Sequence, residues 1–389
     1  MSGVAVTGPT CRRELGTWDC GRPGPTLLVL AGVHGNEPAG VLAVQRVLGR
    51  LQELELPVVG RIVALAGNLR ALAAHRRFLD RDLNRGWGPD AIAAMLQRDA
   101  PAAKAEDHEQ RELLARFTAI VRTASGPVVF LDLHTSSAEG PPFLCLADTI
   151  DNRNLGLATR VPIILGIEET LDGASLEWFA ERGIAAVAVE GGRHEHPDTA
   201  GNLEAVLWLA LEHLRILQPG QVELRPHREH LRVASAGVPP VVEITQRRAI
   251  TAADGFAMAP GFVNFQAVKK GELLAQDRQG EIRAPYDCRM MLPLYQALGD
   301  DGFFLARPVR RVWLHVAKWL RALRLPAIVT WLPGVRRDPD DRLTILVDRR
   351  VARWFVPEVF HLLGFRKVRP RGDGLAFTRR WSRPENARL

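Results

Sequence analysis

Residues 26–40 read TLLVLAGVHGNEPAG, and this stretch decides how the chain folds. It opens with a short apolar run, Thr26–Ala31, which is typical of a strand buried on both faces of a parallel sheet. A glycine-containing turn follows, and apolar residues recur with helical spacing from Ala39 onward. A strand, a tight turn and a helix in this order predict the first crossover unit of a sheet-and-helix protein.

The same alternation continues to about residue 215. Further short apolar runs predict strands at Arg61–Ala66, Val128–Leu133, Val161–Leu165 and Ala185–Val189. Segments with helical spacing lie at Ala39–Leu51, Asp107–Arg122, Ser175–Arg182 and Asn202–Leu217. Strands that alternate with helices are typical of a largely parallel sheet with helices on its faces. We therefore expect an α/β domain over residues 1–218.

Beyond residue 218 the pattern changes twice. Residues 219–306 carry short strands punctuated by proline and glycine, including Val241–Thr245 and Val263–Val268, and predict a β-rich domain. Residues 307–389 predict a small basic α+β extension. Its elements are a basic amphipathic helix around Val309–Leu325, a strand Leu343–Val347, a helix near Val351–Leu363 and two strands around the Gly372–Gly374 turn.

Composition excludes several classes of protein. The chain has 389 residues, 47% of them hydrophobic and 24% charged, which excludes disordered, collagenous and coiled-coil proteins. Four cysteines without paired spacing make neither a disulfide scaffold nor a zinc knuckle. The N-terminus does not resemble a leader, and no apolar stretch approaches the roughly 18 residues that span a bilayer. We expect a soluble, unprocessed protein of the cytoplasm.

The net charge of +7 is unevenly spread along the chain. Residues 301–389 hold 20 Lys and Arg against 8 Asp and Glu, a net charge of +12, whereas residues 1–300 carry −5. The body therefore lacks the composition of a nucleic-acid-binding surface. The basic tail, which holds five of the nine tryptophans, leaves open a contact with an anionic membrane surface or with phosphates. More commonly, an amphipathic helix such as the one predicted in this tail packs its apolar face against the body of the protein.

Polar side chains that suit a metal follow the first predicted strand. His34 and Glu37 are of the types that bind catalytic zinc, and Gly35 permits the tight turn that would bring both onto one ion. The alternative is that Glu37 only caps the helix, with Pro38 at its first position, and that His34 is a surface loop residue.

Two further strand ends supply the remaining candidates. His134 follows Val128–Leu133, and Glu190 follows Ala185–Val189. Taken singly, each is more typical of an ordinary turn than of a functional site. Because the crevice of an open α/β sheet lies outside the carboxyl ends of its strands, we expect both beside His34. Two histidines and one carboxylate leave a coordination position for water, which indicates a hydrolytic zinc site. Glu190 suits a general base that acts on this water.

Two charged segments complete the set of candidates. Residues 68–85, NLRALAAHRRFLDRDLNR, mix arginine with aspartate and asparagine, which favours a pocket for an anionic substrate over a solvated face. His194, Glu195 and His196 form a cluster that could be a second metal site. We interpret it as a solvated loop from which His194 hydrogen-bonds to the main site.

Taken together, GVHGNEPAG, NLRALAAHRRFLDRDLNR, FLDLHTSS and VAVEGGRHEHP resemble the succinylglutamate desuccinylase/aspartoacylase family. Its members are zinc-dependent deacylases of N-acyl amino acids, related to the zinc carboxypeptidases. The resemblance covers roughly residues 25–300. It implies a zinc carboxypeptidase-like mixed, mostly parallel sheet flanked by helices, followed by a β-rich domain that narrows the active-site cleft.

The resemblance also implies a role for each matching residue. Three residues correspond to ligands of one zinc ion per chain: His34, Glu37 and His134. Glu190 corresponds to the glutamate that activates zinc-bound water, and Arg77 to the arginine that stabilises the oxyanion together with zinc. Asn84 and Arg85 correspond to the pair that holds a substrate carboxylate. We expect Asp82 to orient these arginines rather than to touch substrate.

The implied reaction is hydrolysis of the amide bond of a small, anionic N-acyl amino acid. The sequence departs from the family in one respect. Aspartoacylase-like members bind substrate carboxylates with a further arginine and a tyrosine from the β-rich domain, and neither can be placed here. The whole chain has two tyrosines, Tyr286 and Tyr295. N-acetylaspartate and succinylglutamate are therefore poor candidates, and the acyl group and amino acid stay open.

Other functions also stay open at the level of sequence. A zinc carboxypeptidase acting on peptides would use the same metal, arginine and glutamate set. Another divalent metal could take the place of zinc at a His/Glu/His site, because geometry and availability select among metals. A nucleic-acid partner is not expected of the body, and a homo-oligomer is compatible with the sequence.

Overall fold

The computed structural model describes residues 12–98, 103–296, 298–310, 312, 334–339, 341, 344–348, 365–371 and 374–379. The strands before residue 218 are β1 (Glu14–Asp19), β2 (Thr26–Ala31), β3 (Arg61–Ala66), β4 (Val128–Ser136), β5 (Phe143–Leu146), β6 (Ile163–Leu165) and β7 (Ala185–Arg193). The later strands are β8 (Val241–Ala249), β9 (Ala257–Met258), β10 (Ala267–Val268), β11 (Leu273–Asp277), β12 (Gly280–Arg283), β13 (Cys288–Met291), β14 (Asp301–Pro308), β15 (Val335–Arg337), β16 (Thr344–Asp348), β17 (Phe365–Arg371) and β18 (Gly374–Arg379). The helices are α1 (Ala39–Glu53), α2 (Leu69–Ala73), α3 (Pro89–Gln97), α4 (Ala105–Arg122), α5 (Ile150–Thr159), α6 (Ile167–Thr170), α7 (Ser175–Glu181), α8 (Thr199–His213) and α9 (Arg225–Ala234).

A mixed sheet of eleven strands organises the described part of the chain. Its order is β1-β3-β2-β4-β7-β5-β6-β8-β14-β13-β10. Before residue 218, four of the six neighbouring strand pairs are parallel, which confirms the expected mixed, mostly parallel sheet. Two smaller sheets have the orders β12-β11-β9 and β15-β16-β18-β17.

The apolar runs fold as strands because both faces of the sheet are covered by helices. Alternate residues of β2 enter two different cores: Leu27 and Val29 pack with α1 and α8, whereas Leu28 and Leu30 pack with α4 and α7. A strand that is buried on both faces reads as a continuous apolar run. The residues that β2 contributes to either core are fully buried.

The sheet continues across residue 218. Strand β8 pairs in parallel with β6, and β14, β13 and β10 add to it in antiparallel fashion. One core joins the two sides of this boundary, since Cys145 and Ile164 pack with Val242, Ile244 and Phe304. The domain boundary at residue 218 stays a prediction, but the strands on either side of it share one sheet and one core.

Several element ends differ from the expectation. Strands β2 and β3 have the predicted bounds, but β4 and β7 run on to Ser136 and Arg193 because they pair with each other beyond their apolar runs. The predicted strand Val161–Leu165 begins only at Ile163, since Pro162 has no backbone N–H to donate.

The tail is described only in part. The predicted helices around Val309–Leu325 and Val351–Leu363 lie outside the described residues, apart from residues 309, 310 and 312. Strand β16 lies at the predicted strand, shifted by one residue, and β17 and β18 flank residues 372–373. Within the portion of the chain that the structure covers, no helix has the length and apolar character needed to cross a membrane.

Candidate functional site

Strands β2, β4 and β7 bring three segments together at one edge of the sheet. Ala31 at the end of β2 is in register with Leu133, and His134 is in register with Glu190. The loop after β2 carries His34 to the same edge, where its ring centroid is 5.3 Å from that of His134. The expectation that His134 and Glu190 follow the strands is wrong in one detail: both lie within strands, because β4 and β7 pair past these residues.

Glu37 lies between the two histidines. Its Oε1 atom is 2.8 Å from Nδ1 of His34, and its Oε2 atom is 3.4 Å from Nδ1 of His134. Oε2 also accepts a hydrogen bond of 2.8 Å from the backbone N–H of Thr135. All three side chains are buried, and one ligand atom from each lies within 4.8 Å of the others. Among the described residues, this is the group that could hold a metal ion.

A carboxylate lies behind each histidine ring. Nε2 of His34 is 3.2 Å from Oδ1 of Asp82, and Nε2 of His134 is 3.2 Å from Oδ2 of Asp132. Metal-binding histidines usually donate their second ring N–H to such a carboxylate, which fixes the ring orientation and the tautomer. With Nδ1 of both rings turned toward Glu37, the donor set fits a catalytic zinc ion.

The electrostatics of this cluster favour a cation. Burial alone would raise the pKa of Glu37, but His34 and His134 hold it well below its usual range. Burial would lower the pKa of His134, but Asp132 and Glu37 raise it well above the ordinary histidine value. The carboxylates thus stabilise a positive charge between them, which a divalent ion can supply in place of a proton.

The turn that holds His34 and Glu37 depends on Gly35. A Cβ atom at this position would lie 2.0 Å from the backbone carbon of Ala71 and 2.4 Å from the carbonyl oxygen of Arg76. The Gly35 N–H also donates to the carbonyl of Arg77, at 3.2 Å. Glu37 does not cap helix α1: Pro38 occupies the cap position without a side-chain hydrogen bond.

Glu190 lies beside His134 on the neighbouring strand β7. Its Oε2 atom is buried and has no hydrogen-bond partner among the described residues. Burial raises the pKa of its carboxyl to about 7, with Glu37 adding to the rise and His134 opposing it. A carboxylate with such a pKa suits proton transfer near neutral pH.

Arg77 approaches the cluster from the loop after α2. Its Nη2 donates to Oδ2 of Asp82 at 3.1 Å, and its Nη1 is 3.6 Å from Oε1 of Glu37. Its Nε is buried without a partner among the described residues. Asp82 contacts Arg77, as expected, and also His34, which was not expected. Arg85 donates to Asp301 rather than to Asp82. Burial would raise the pKa of Asp82, but His34 and Arg77 hold it well below its usual value.

Helix α4 holds this loop in place through Glu106. The fully buried carboxylate accepts hydrogen bonds from the backbone N–H groups of Leu79, Asp80 and Arg81 at 2.7, 3.0 and 3.1 Å. It also accepts one from Nδ2 of Asn68 at 3.1 Å. The loop that carries Arg77 is thereby fixed to a helix that does not itself reach the site.

Asn84 and Arg85 lie on a single 3₁₀ turn, Leu83–Arg85. Oδ1 of Asn84 accepts from the N–H of Ser175 at 2.7 Å, and its Nδ2 is 3.5 Å from Nε2 of His134. Nη2 of Arg85 donates to Oδ2 of Asp301 at 3.0 Å. Asp301, at the start of β14, is a contact that the sequence did not indicate.

A cavity of about 180 Å³ opens beside these residues. Its walls include every residue for which the resemblance implies metal binding, catalysis or substrate binding: His34, Glu37, Arg77, Asn84, Arg85, His134 and Glu190. His194 hydrogen-bonds to Oγ1 of Thr135 at 2.6 Å and contacts Gln296 at 3.2 Å, so it adjoins the site as expected. Neither tyrosine lines the cavity: Tyr286 donates to Thr245, and Tyr295 to the carbonyl of Ala259.

Sequence reasoning missed residues that hold the candidate site residues in place. The contact of Asp132 with His134 could have been predicted from FLDLHTSS. Residues two apart on a strand share a face, and Asp132 precedes His134 by two. Glu106 and Asp301 gave no such signal, since each reaches the site only through the folding of distant segments.

Comparison with known proteins agrees with this geometry. The family model described as "Succinylglutamate desuccinylase/Aspartoacylase catalytic domain" matches residues 23–182. The succinylglutamate desuccinylase of Burkholderia lata is 27% identical over 269 residues, which cover 65% of this chain and 70% of that protein. Some further curated desuccinylases match over about a third of their own length.

Two solved structures show the same fold. The succinylglutamate desuccinylase/aspartoacylase from Rhodobacter sphaeroides has a TM-score of 0.55 at 18% identity, covering 75% of this chain and 87% of its own. Murine aminoacylase 3 has a TM-score of 0.51 at 18% identity, covering 74% of this chain and 96% of its own. The match of the catalytic-domain model to residues 23–182, with the motifs in their expected order, thus confirms the resemblance of this chain to the succinylglutamate desuccinylase/aspartoacylase family.

Proposed function

We propose that this chain is a zinc-dependent deacylase that hydrolyses the amide bond of a small N-acyl amino acid. One observation carries the proposal: His34, Glu37 and His134 converge as buried ligands, and Glu190, in register with His134, has a buried carboxylate oxygen without a partner. A metal ligand set beside an unpartnered base is the arrangement that metal-assisted hydrolysis uses.

His34, Glu37 and His134 would hold the ion, with Asp82 and Asp132 fixing the histidine rings. Bound there, zinc supplies Lewis acidity and makes water nucleophilic near neutral pH. The same residues could bind another divalent metal, but the two nitrogens and one carboxylate oxygen are the donor set of catalytic zinc.

Glu190 would move the proton. Water adds its oxygen to the acyl carbon, and an oxygen of the Glu190 carboxylate accepts the proton that the water loses. When the C–N bond breaks, the same carboxyl returns this proton to the leaving nitrogen. The products are a carboxylate and a free amine. The raised pKa of Glu190 suits a group that must both accept and donate.

Arg77 would stabilise the charge that develops on the acyl oxygen. Its guanidinium is held by Asp82 and lies close to Glu37, while its buried Nε lacks a partner. A donor of this kind, fixed before the reaction, typically contributes about 3–4 kcal/mol to the reduction of the barrier. Asn84 and Arg85 would hold the carboxylate of the amino acid, at the cavity wall next to His134.

A peptidase of the carboxypeptidase type is the second candidate, because it would use the same residues. The size of the cavity argues against it. A volume of about 180 Å³ is below the range of roughly 300–1,000 Å³ that is usual for drug-sized ligands. Residues after 218 also line it, including Leu294 between β13 and β14 and Phe304 on β14.

We also propose a cytoplasmic location. Cys20, Cys145 and Cys288 are free thiols among the described residues, which suits a reducing compartment. An assay of the protein in fractionated source cells would test it, and enrichment outside the cytoplasm would contradict it.

A hydrolysis panel tests the proposed function. The full chain, stripped of metal and reloaded with zinc, is assayed on N-acetyl and N-succinyl amino acids and on peptides of three or more residues with free C-termini. We expect cleavage of N-acyl amino acids, loss of activity on chelation and its return with zinc. Faster release of C-terminal residues from the peptides would identify a carboxypeptidase instead.

A further inference from the structure

Asp301 already pairs with Arg85, a residue that is proposed to hold the substrate carboxylate. Its Oδ2 accepts from Nη2 of Arg85 at 3.0 Å, and its Oδ1 accepts from Nε of Arg247. The Asp301 side chain is 13% exposed, so this pairing takes place largely out of water. Nη1 of Arg247 in turn donates to the carbonyl of Thr170 at 2.6 Å, which fixes Arg247 outside the cavity.

Few donors of Arg85 remain for a ligand. Nη2 is engaged by Asp301, and Nη1 donates to the carbonyl of Asn84 at 3.0 Å. Nε is buried and has no partner among the described residues. One edge of the guanidinium can therefore still receive a carboxylate, but a second anion on this side chain would have to displace Asp301.

Among the described residues, the rest of the cavity wall offers no cation for a second carboxylate. Among the described residues of its wall, Arg77 and Arg85 are the only arginines, and no lysine is present. Arg77 is engaged by Asp82 and Glu37 beside the hydrolytic centre. Further carboxylates line the cavity, among them Glu168, Glu177 and Asp300. The remaining wall holds apolar side chains, among them Leu146, Ile167, Leu171, Leu292, Leu294 and Phe304, and the neutral polar residues Thr135, Ser136, Ser137 and Gln296.

We propose that Asp301 is a specificity-determining residue, and that the substrate is an N-acyl amino acid with a single carboxylate, a neutral acyl group and a neutral side chain. A second carboxylate would lose its hydration against walls that are apolar, neutral or anionic, without gaining a cationic partner among the described residues. Sites of this kind reject a ligand whose polar group they leave unpaired. This inference rests on the proposed deacylase function and deepens it.

Isosteric pairs of compounds test the inference in the wild-type protein. N-acetylasparagine and N-acetylaspartate differ only in the charge of the amino acid side chain, and N-succinamyl and N-succinyl derivatives of one amino acid differ only in the charge of the acyl group. We expect kcat/KM to be at least about tenfold higher for the neutral member of each pair. A preference for the dicarboxylate would overturn the inference while leaving the deacylase function intact. Absence of hydrolysis for every compound would overturn the proposed function and the inference with it.

Two variants then separate charge from packing. Asp301→Asn keeps the shape of the side chain and removes its charge. Asp277→Asn is the matched control, because Asp277 pairs with Arg248 in the same part of the chain but does not line the cavity. We expect Asp301→Asn to reduce the neutral-to-anionic ratio of kcat/KM at least about fivefold and Asp277→Asn to leave it unchanged. Equal ratios in the two variants would remove Asp301 from this role.

Binding gives a readout that does not depend on turnover. Calorimetric titration of the zinc-loaded Glu190→Gln protein with intact N-acetylasparagine and N-acetylaspartate yields both dissociation constants. We expect the neutral compound to bind at least about tenfold more tightly. Equal affinities, or tighter binding of N-acetylaspartate, would contradict the inference.

Discussion

His34 and His134 use their two ring nitrogens in the same way. In each ring Nδ1 is turned toward Glu37, and Nε2 is turned toward a carboxylate, Asp82 in one case and Asp132 in the other. The shared pattern means that a carboxylate holds the second nitrogen of each histidine in the proposed ligand set. The proposed zinc site therefore depends on residues that would not themselves touch the ion.

Asp132→Asn tests this dependence at a single residue. The variant keeps a side chain of the same shape but cannot hold a negative charge at Nε2 of His134, so the ring becomes a weaker ligand. We expect zinc affinity to fall about 10–100-fold, measured by competition with a chelator of known affinity.

His134→Ala and Asp277→Asn are the two controls for that measurement. The first removes a proposed ligand, and we expect it to retain less than one equivalent of zinc. The second alters a carboxylate that pairs with Arg248 and does not line the cavity, and it should bind zinc as the wild type does. An Asp132→Asn protein with wild-type zinc affinity would exclude a role for Asp132 in metal binding.

The proximity of His34, Glu37, His134 and Glu190 was predictable from the sequence, because each lies in a short motif near the end of an apolar run. Residue type and motif order are local properties, whereas the roles of these residues stay proposals. The contact between Arg85 and Asp301 was not readable, since it joins residues 216 positions apart. Such a pairing depends on the path of the intervening chain, which no local pattern specifies.

At the scale of elements, helix α4 and the loop before the Leu83–Arg85 turn act as one unit. Glu106, in the first turn of α4, receives three backbone N–H groups of that loop. Glu109, one turn later, instead receives the N–H groups of Leu69 and Arg70 at the start of α2. The two glutamates are similarly buried but hold different segments.

Glu106→Gln should loosen the loop that carries Arg77. The amide places a donor against backbone donors, which we expect to cost about 1–3 kcal/mol of unfolding free energy. Since a misplaced arginine stabilises the transition state less well, we expect kcat/KM to fall at least about tenfold while zinc stays bound.

Glu109→Gln is the matched control for this change. Because Glu109 also pairs with the buried Arg13, this change should lower the unfolding free energy by at least as much, measured by denaturant unfolding. It should nevertheless leave kcat/KM near the wild-type value, measured by steady-state kinetics. Equal losses of kcat/KM in the two variants would show that the effect of Glu106 is general destabilisation.

The elements themselves were predictable where the apolar pattern is long or strongly periodic. Strands β2 and β3 have the expected bounds, and the helices α1, α4 and α7 lie within two residues of theirs. Strand β5 and helix α5 were missed. The former is a four-residue run, FLCL, and the latter has a mixed composition, IDNRNLGLAT, so neither shows a clear period.

At the scale of the whole molecule, one sheet continues past residue 218, although the local sequence pattern changes there. The sequence indicated a change from crossover units to short strands, which is a change of local pattern. Strand order was not available from it, because the pairing of β6 with β8 joins segments that are far apart in the chain. The uneven charge distribution likewise distinguishes the tail from the body but does not indicate the function of the tail.

A chain that ends at residue 218 should therefore fail to fold independently. It would lack the partner strand of β6 and would expose Cys145 and Ile164, which pack with Val242 and Phe304 in the full chain. We expect it to aggregate, as seen by size-exclusion chromatography, because an uncovered edge strand invites intermolecular pairing. A chain that ends at residue 310 is the control and should unfold cooperatively. A soluble, cooperatively folded 1–218 protein would contradict this account.

The most direct test of the central claim is the turnover number of Glu190→Gln, measured on the best substrate of the N-acyl amino acid panel with the zinc content determined in the same sample. The substitution keeps the size of the side chain and removes its ability to accept a proton. We expect one zinc per chain, an unchanged fold by circular dichroism and a kcat about 10²–10⁴-fold below that of the wild type. A zinc-loaded Glu190→Gln protein that turns over near the wild-type rate would contradict the proposed mechanism.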